Sequence, residues 1–134
     1  MQTFLPYADF TQSAKSLDWR RLGKQRVETM QILNILTGVN ADAAWRNHPA
    51  VRMWRGHHEA LNEYLDCCIT EWVNRGYKNN MQLTGITGGI EPDWFGREDF
   101  HASHRSNLLR KDVAFYRQWG WTEPTDLPYV WPVD

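Results

Sequence analysis

No run in this chain approaches 18 apolar residues, so the sequence offers no membrane-spanning helix. The opening residues, MQTFLPYADF, lack the basic start and long apolar stretch of a secretory signal. Cysteine is scarce: Cys67 and Cys68 are adjacent within a helical pattern, where neighbours point about 100° apart, which disfavours a disulfide between them. The chain is therefore read as a reduced, cytoplasmic protein with no membrane partner. Excess charge of one sign is also missing. A net charge of −1 argues against a general, non-specific DNA binder and leaves room only for a local basic patch. No segment sustains period-two alternation, so strands are not expected. There is no HExxH pattern and no repeated ExxH. His101 and His104 have the i,i+3 spacing of a chelating pair but lack a third ligand, so no metal and no cofactor are expected. Gly85, Gly88 and Gly89 lack the lysine and following helix of a phosphate loop.

What is present is ordinary in amount and unusual in kind. A chain of 134 residues, 42% hydrophobic and 23% charged, is long enough to bury a core and reads as a single globular domain. Eight of its residues are tryptophan, which leaves two uses open, core packing and flat rings against a ligand.

The organising stretch is Leu17 to Gly38, with Asp18 suited to an N-cap and Gly38 to a C-cap. Leu22, Thr29, Leu33 and Leu36 recur at helical spacing, widened by Met30 and Ile32. Its first half carries Arg20, Arg21, Lys24 and Arg26, followed by one carboxylate, Glu28. This is either a solvated face with a Lys24–Glu28 ion pair, or a phosphate-gripping face with one general acid/base in its middle. A second helix is expected from Pro49 to Arg75. Val51, Trp54, His58, Leu61, Leu65, Cys68 and Trp72 form its buried stripe, and Gly56 would allow a close helix crossing. On that stripe His58 is either a core histidine or faces ligand. A third helix is expected from Phe100 to Trp119, with Arg105 among its charges. Between the second and third lies a long loop, residues 77–99, of the kind often tied to function. Ahead of the helices an extended arm packs Phe4, Leu5 and Tyr7, with a helical turn over Asp9 to Lys15. Behind them a Pro- and aromatic-rich tail wraps the outside, anchored by Tyr129 and Trp131. The fold class is all-α: a compact three-helix bundle with arm, loop and tail.

Two segments resemble the pyrimidine-dimer DNA glycosylase family, the phage-type endonuclease V. Leu17, Arg21-Leu22 and Glu28 have the spacing of the family's leucine, His-Leu pair and catalytic glutamate. The string EW-x-x-RGY at Glu71 to Tyr77 is similar to the family's E-C-x-x-RGF, with a compatible apolar pattern back to Val51. The resemblance implies an all-α, three-helix fold and a monomer that binds duplex DNA at a damaged pyrimidine, kinks it and flips a nucleotide. It implies attack by an N-terminal α-amine on deoxyribose C1′, a Schiff base, and β-elimination assisted by a glutamate. α-Amines titrate near 7.7–8.0, so a useful fraction is a neutral nucleophile at pH 7.

By position Glu28 is the carboxylate. Arg21, where the family has histidine, is a fixed cation beside it, and Arg20, Lys24 and Arg26 grip the backbone. His58, His104 and Arg105 complete the residues expected to face substrate or DNA. Family members lose the initiator methionine ahead of a small residue. Here residue 2 is Gln, which disfavours that removal, so the amine is assigned to Met1. The stretch before Leu17 is about five residues longer than the family's, and Val27 and Gln31 stand where it has arginines. Two other readings compete. One is a non-lyase enzyme on a nucleotide or modified nucleoside, using Glu28 with His58 or His104, with the amine far from Glu28. The other is a non-catalytic nucleic-acid-binding module, in which Glu28 is ion-paired and lies outside any concave site.

Overall fold

Asp18 starts the central helix: its carboxylate accepts from the Arg21 amide at 3.3 Å, and the helix then runs Trp19–Leu36 (α2). It stops where Gly38 takes φ +89°, a conformation that costs glycine little. The computed structural model describes residues 1–133. Before α2 comes a short α1, Phe10–Ser16, capped by Asp9; after it come α3, Pro49–Arg52, and α4, His58–Asn74. The last helices are α5, Glu98–Lys111, and α6, Val113–Tyr116, which runs into a 3-10 turn at Arg117–Trp119. No strand occurs among the described residues.

The expected second helix is therefore two. Residues 53–57 break it, and Gly56 is the reason: it sits at φ +81° with open space where a Cβ would lie, so it turns the chain and makes no crossing. The break also moves His58 off the buried stripe, onto the exposed first turn of α4. The expected third helix is divided too. Asp112 leaves helical geometry and its carboxylate caps α6 by accepting from Phe115 N at 3.2 Å. Val113, at the start of α6, is exposed.

α4 packs against both α2 and α1. Leu22, Ile32 and Leu33 of α2 meet Leu61, Tyr64, Leu65 and Cys68 of α4 in one core cluster. A plain three-helix bundle would then set α5 directly against this pair. Instead the N-terminal arm runs between them, buried from Gln2 to Pro6. An extended segment inside a core has no internal partners for its peptide groups, so side chains must supply them. Gln25 on α2 accepts from Phe4 N at 2.9 Å and donates to the Gln2 carbonyl at 2.7 Å. Tyr64 on α4 donates to the Phe4 carbonyl at 2.8 Å. On α5, His104 Nδ1 accepts from Leu5 N at 2.9 Å, and His101 Nδ1 lies 2.7 Å from the Leu5 carbonyl.

Those two contacts fix both histidines as neutral. Gly96 N donates to His101 Nε2 at 3.0 Å, so its proton is on Nδ1 and points at Leu5. His104 must carry its proton on Nε2, which is buried without a partner. Burial pushes the His104 pKa down to about 3, with the neighbouring His101 adding to it, and burial lowers His101 as well. An unfolded histidine titrates near 6.5. Stability is therefore full above about pH 6.5 and is lost as pH falls from there toward the folded values. For His104 alone the loss between pH 7.5 and 5.5 is on the order of 1 kcal/mol. Urea midpoints at those two pH values should show it, and His104→Asn should flatten the difference; equal slopes in the two proteins would contradict this assignment.

Residues 77–97 contain no helix, yet they are tied to α4. Asp66 accepts from Thr84 N, Thr84 Oγ1 and Gly85 N, and Glu63 accepts from Gly88 N. Gly89 lies so close to the start of α4 that a Cβ would come within 2.6 Å of Ala60 N. The tail is held to α5 in the same manner, with Ser103, Ser106 and Asn107 bonding to Val130, Leu127 and Pro124 backbone groups. Tyr129 and Trp131 are half-buried, with Tyr129 set edge-on to His104 and Trp131 edge-on to His48.

Candidate active site

Glu28 lies on α2 just past its basic first half, on a side flanked by α4. It is half-buried and lines a groove of about 600 Å³ with Trp19, Arg20, Gly23, Lys24, Val27, Gln31 and Trp72. Its Oε2 accepts a hydrogen bond from the Gln2 amide at 3.3 Å. The arm thus delivers residue 2 to the carboxylate, held there by the Gln25 carboxamide one turn below. No ion pair joins Lys24 to Glu28 among the described residues, and where the solvated-face reading placed that i,i+4 pair Glu28 instead meets the arm.

Arg21 points elsewhere. It pairs with Asp18 at 3.0 Å, and Asp18 also accepts from the Tyr116 hydroxyl. Burial raises the Asp18 pKa, but the hydrogen bonds from Tyr116 and Arg21 outweigh it and hold the carboxyl below its usual range. Arg21 therefore belongs to a second cleft, of about 620 Å³, with Trp19, Arg20, Lys24 and Lys111. Arg20 and Lys24 line both cavities, so the two form a continuous basic strip along α2. Lys111 is the member that pattern reading missed. It comes from the end of α5, and its pKa is lowered by burial and then by the charges of Arg21, Arg110 and Lys24.

Of the other residues expected at the site, Arg26 stacks its guanidinium 4.2 Å from the Trp72 ring centroid and donates to Asn79 at 2.9 Å. Arg105 is largely buried, bonded to Glu123, Glu98 and the Pro6 carbonyl. His104 is in the core. His58 is on the surface, but neither it nor His104 lines the Glu28 groove. Met1 is exposed, and its terminal charge is felt at His48. The tryptophans divide: Trp54 and Trp94 are buried, whereas Trp19 and Trp72 line the groove.

An all-helical fold that brings its N-terminal arm to a carboxylate beside a basic strip defines a narrow class of protein. The family model for pyrimidine dimer DNA glycosylase matches residues 1–85, and the chain belongs to that family. The match spans the arm, α1 to α4 and the first part of the loop, and contains Glu28 and Trp72. No curated protein and no solved structure matches the chain.

Proposed function

We propose that this protein is a DNA glycosylase with lyase activity, acting on a damaged pyrimidine such as a cyclobutane dimer in duplex DNA. The observation that carries the reading is the 3.3 Å contact between the residue 2 nitrogen and Glu28. A peptide nitrogen is not a nucleophile, because its lone pair is delocalised into the carbonyl. This reading requires removal of Met1, against the preference set by the large Gln2 side chain; the nitrogen that cleavage frees is a primary amine on a segment that Gln25 holds beside Glu28. The reacting amine is therefore assigned to Gln2, in preference to the exposed amine of Met1.

The amine attacks C1′ of the damaged nucleotide and the base departs, taking a proton. Loss of the proton on nitrogen and opening of the sugar ring leave an imine between Gln2 N and C1′. Glu28 serves this sequence as the proton carrier and stabilises the positive charge developing at C1′. Removal of the C2′ proton then expels the 3′ phosphate by β-elimination. Arg20, Arg21, Lys24 and Lys111 supply the phosphate contacts. A cluster of this kind on a chain of net charge −1 gives local grip without general affinity. No step requires a metal or cofactor.

The test compares two proteins on UV-irradiated and abasic duplexes: one beginning at Gln2, one with a residue retained ahead of it. The first should nick both DNAs, and the second should fall by about 10²-fold or more. Equal nicking by both would remove Gln2 from the mechanism.

A further inference from the structure

Among the described residues, Arg20, Lys24 and Lys111 form no ion pair, and all three stand in one cleft of about 620 Å³. Arg21 is the fourth cation on its wall, and Phe115 gives the cleft an apolar side. Two carboxylates are present and both are committed. Asp18 accepts from the Arg21 guanidinium, the Arg21 amide and the Tyr116 hydroxyl. Asp112 accepts from Phe115 N and caps α6. The cleft therefore holds two more cations than carboxylates, in a chain whose net charge is −1. The crowding is felt within it: the Lys111 pKa is lowered by partial burial and then by the charges of Arg21, Arg110 and Lys24. Gathering like charges in one concavity raises its potential, and a bound anion relieves it.

The size of the charge decides which anion. An internal phosphodiester carries one negative charge, whereas a terminal phosphate carries about 1.5 to 2 at pH 7 and presents three acceptor oxygens. Lys24 and Arg20, one and two turns before Glu28, line both this cleft and the Glu28 groove, so the cleft opens where the groove ends. A strand cut beside Glu28 has its new end there. In the β-elimination C2′ gives up a proton and the C3′–O bond breaks. The oxygen keeps the electron pair, so the downstream strand is left with a 5′ phosphate. We infer that the cleft holds this 5′ phosphate, gripped by Arg20, Arg21, Lys24 and Lys111, and so retains the nicked product by its monoester. The inference rests on the function proposed above for the source of that end. Lys111 closes α5, beyond the matched residues 1–85, so the site is completed by a part of this chain that the family model does not reach. It also gives a use to Arg21, which is turned away from the Glu28 groove.

The test uses the full chain and two fluorescein-labelled duplexes with a one-nucleotide gap. They are identical except that the downstream strand begins with a 5′ phosphate or a 5′ hydroxyl. Fluorescence anisotropy at fixed salt gives the ratio of the two dissociation constants. Wild type should favour the phosphate at least about fivefold, and Lys111→Met and Lys24→Met should each bring that ratio below about twofold. Loss of general electrostatic attraction weakens both duplexes alike, so the ratio reads the site and not the overall charge. Lys111 is exposed, so its variant keeps the fold, checked by circular dichroism. A wild-type ratio below about twofold, or an unchanged ratio in both variants, would overturn the inference. So would displacement of the phosphorylated duplex by 5′-dAMP at similar concentration, since the cleft would then take free nucleotides and not a DNA end. Nicking of abasic duplex reads the lyase separately. Nicking with no phosphate preference removes the site alone; preference without nicking keeps the site and removes the reaction proposed to supply it.

Discussion

Glu28→Gln should reduce strand nicking on dimer-containing and abasic DNA by at least about 10²-fold while leaving the melting temperature nearly unchanged. The amide has the shape of the carboxylate and its Oε1 can still accept from Gln2 N, so the arm keeps its place. What is lost is the charge and the ability to carry a proton, both of which matter only as C1′ becomes positive. The groove around Glu28 is open and the side chain is half-buried with one hydrogen bond, so stability has little to lose. A gel of nicked product beside a thermal melt checks both halves. Nicking within threefold of wild type would show that Glu28 is a bystander and would return the groove to a purely binding role.

Gln25→Ala has the largest expected effect on stability. This fully buried carboxamide accepts from Phe4 N, lies with its oxygen 2.6 Å from the Tyr64 hydroxyl, and donates to the Gln2 carbonyl. Truncation strands the Phe4 amide and the Gln2 carbonyl, each in a site that water does not reach. A stranded buried group costs about 1–3 kcal/mol, so the loss should be about 3 kcal/mol, or on the order of 10 °C in Tm. Activity should fall further than stability explains, because the same bonds hold residue 2 at Glu28. Measured well below its melting point, Gln25→Ala should bind DNA yet nick it poorly. Normal nicking in this variant would mean that some other group positions the arm.

These two residues differ in how they could be read. Glu28 stood out in sequence because a single acid following four basic residues on one helix leaves a mark in the pattern. The start of α2 was legible for a similar reason, since Asp18 and the apolar spacing act within a few residues of each other. Gln25 left no such mark. Its partners lie 21 to 39 residues away, and a polar residue at a buried helix position looks like a break in the stripe. The break at residues 53–57 was hidden for the opposite reason. The apolar spacing continues through it in register, and only Gly56 signalled a turn. Asp112 carried a readable signal, an N-cap residue in the middle of a charged run, but the aromatic residues beyond it extended the helical pattern and masked the cap. His104 and His101 show the limit of spacing as an argument. The i,i+3 interval that suits chelation equally suits gripping the two polar groups of one peptide unit, and here Leu5 is that unit.

The account turns on one bond, between the nitrogen of Gln2 and C1′ of the damaged nucleotide. Borohydride reduction during reaction with abasic duplex, followed by proteolysis and mass spectrometry of the adduct, locates it directly. The account predicts a sugar fragment on the amine of a peptide that begins at Gln2, absent when that amine is blocked beforehand and sharply reduced in Glu28→Gln. An adduct on the amine of Met1 or on a lysine such as Lys24, or no adduct from folded protein at low salt, would contradict it.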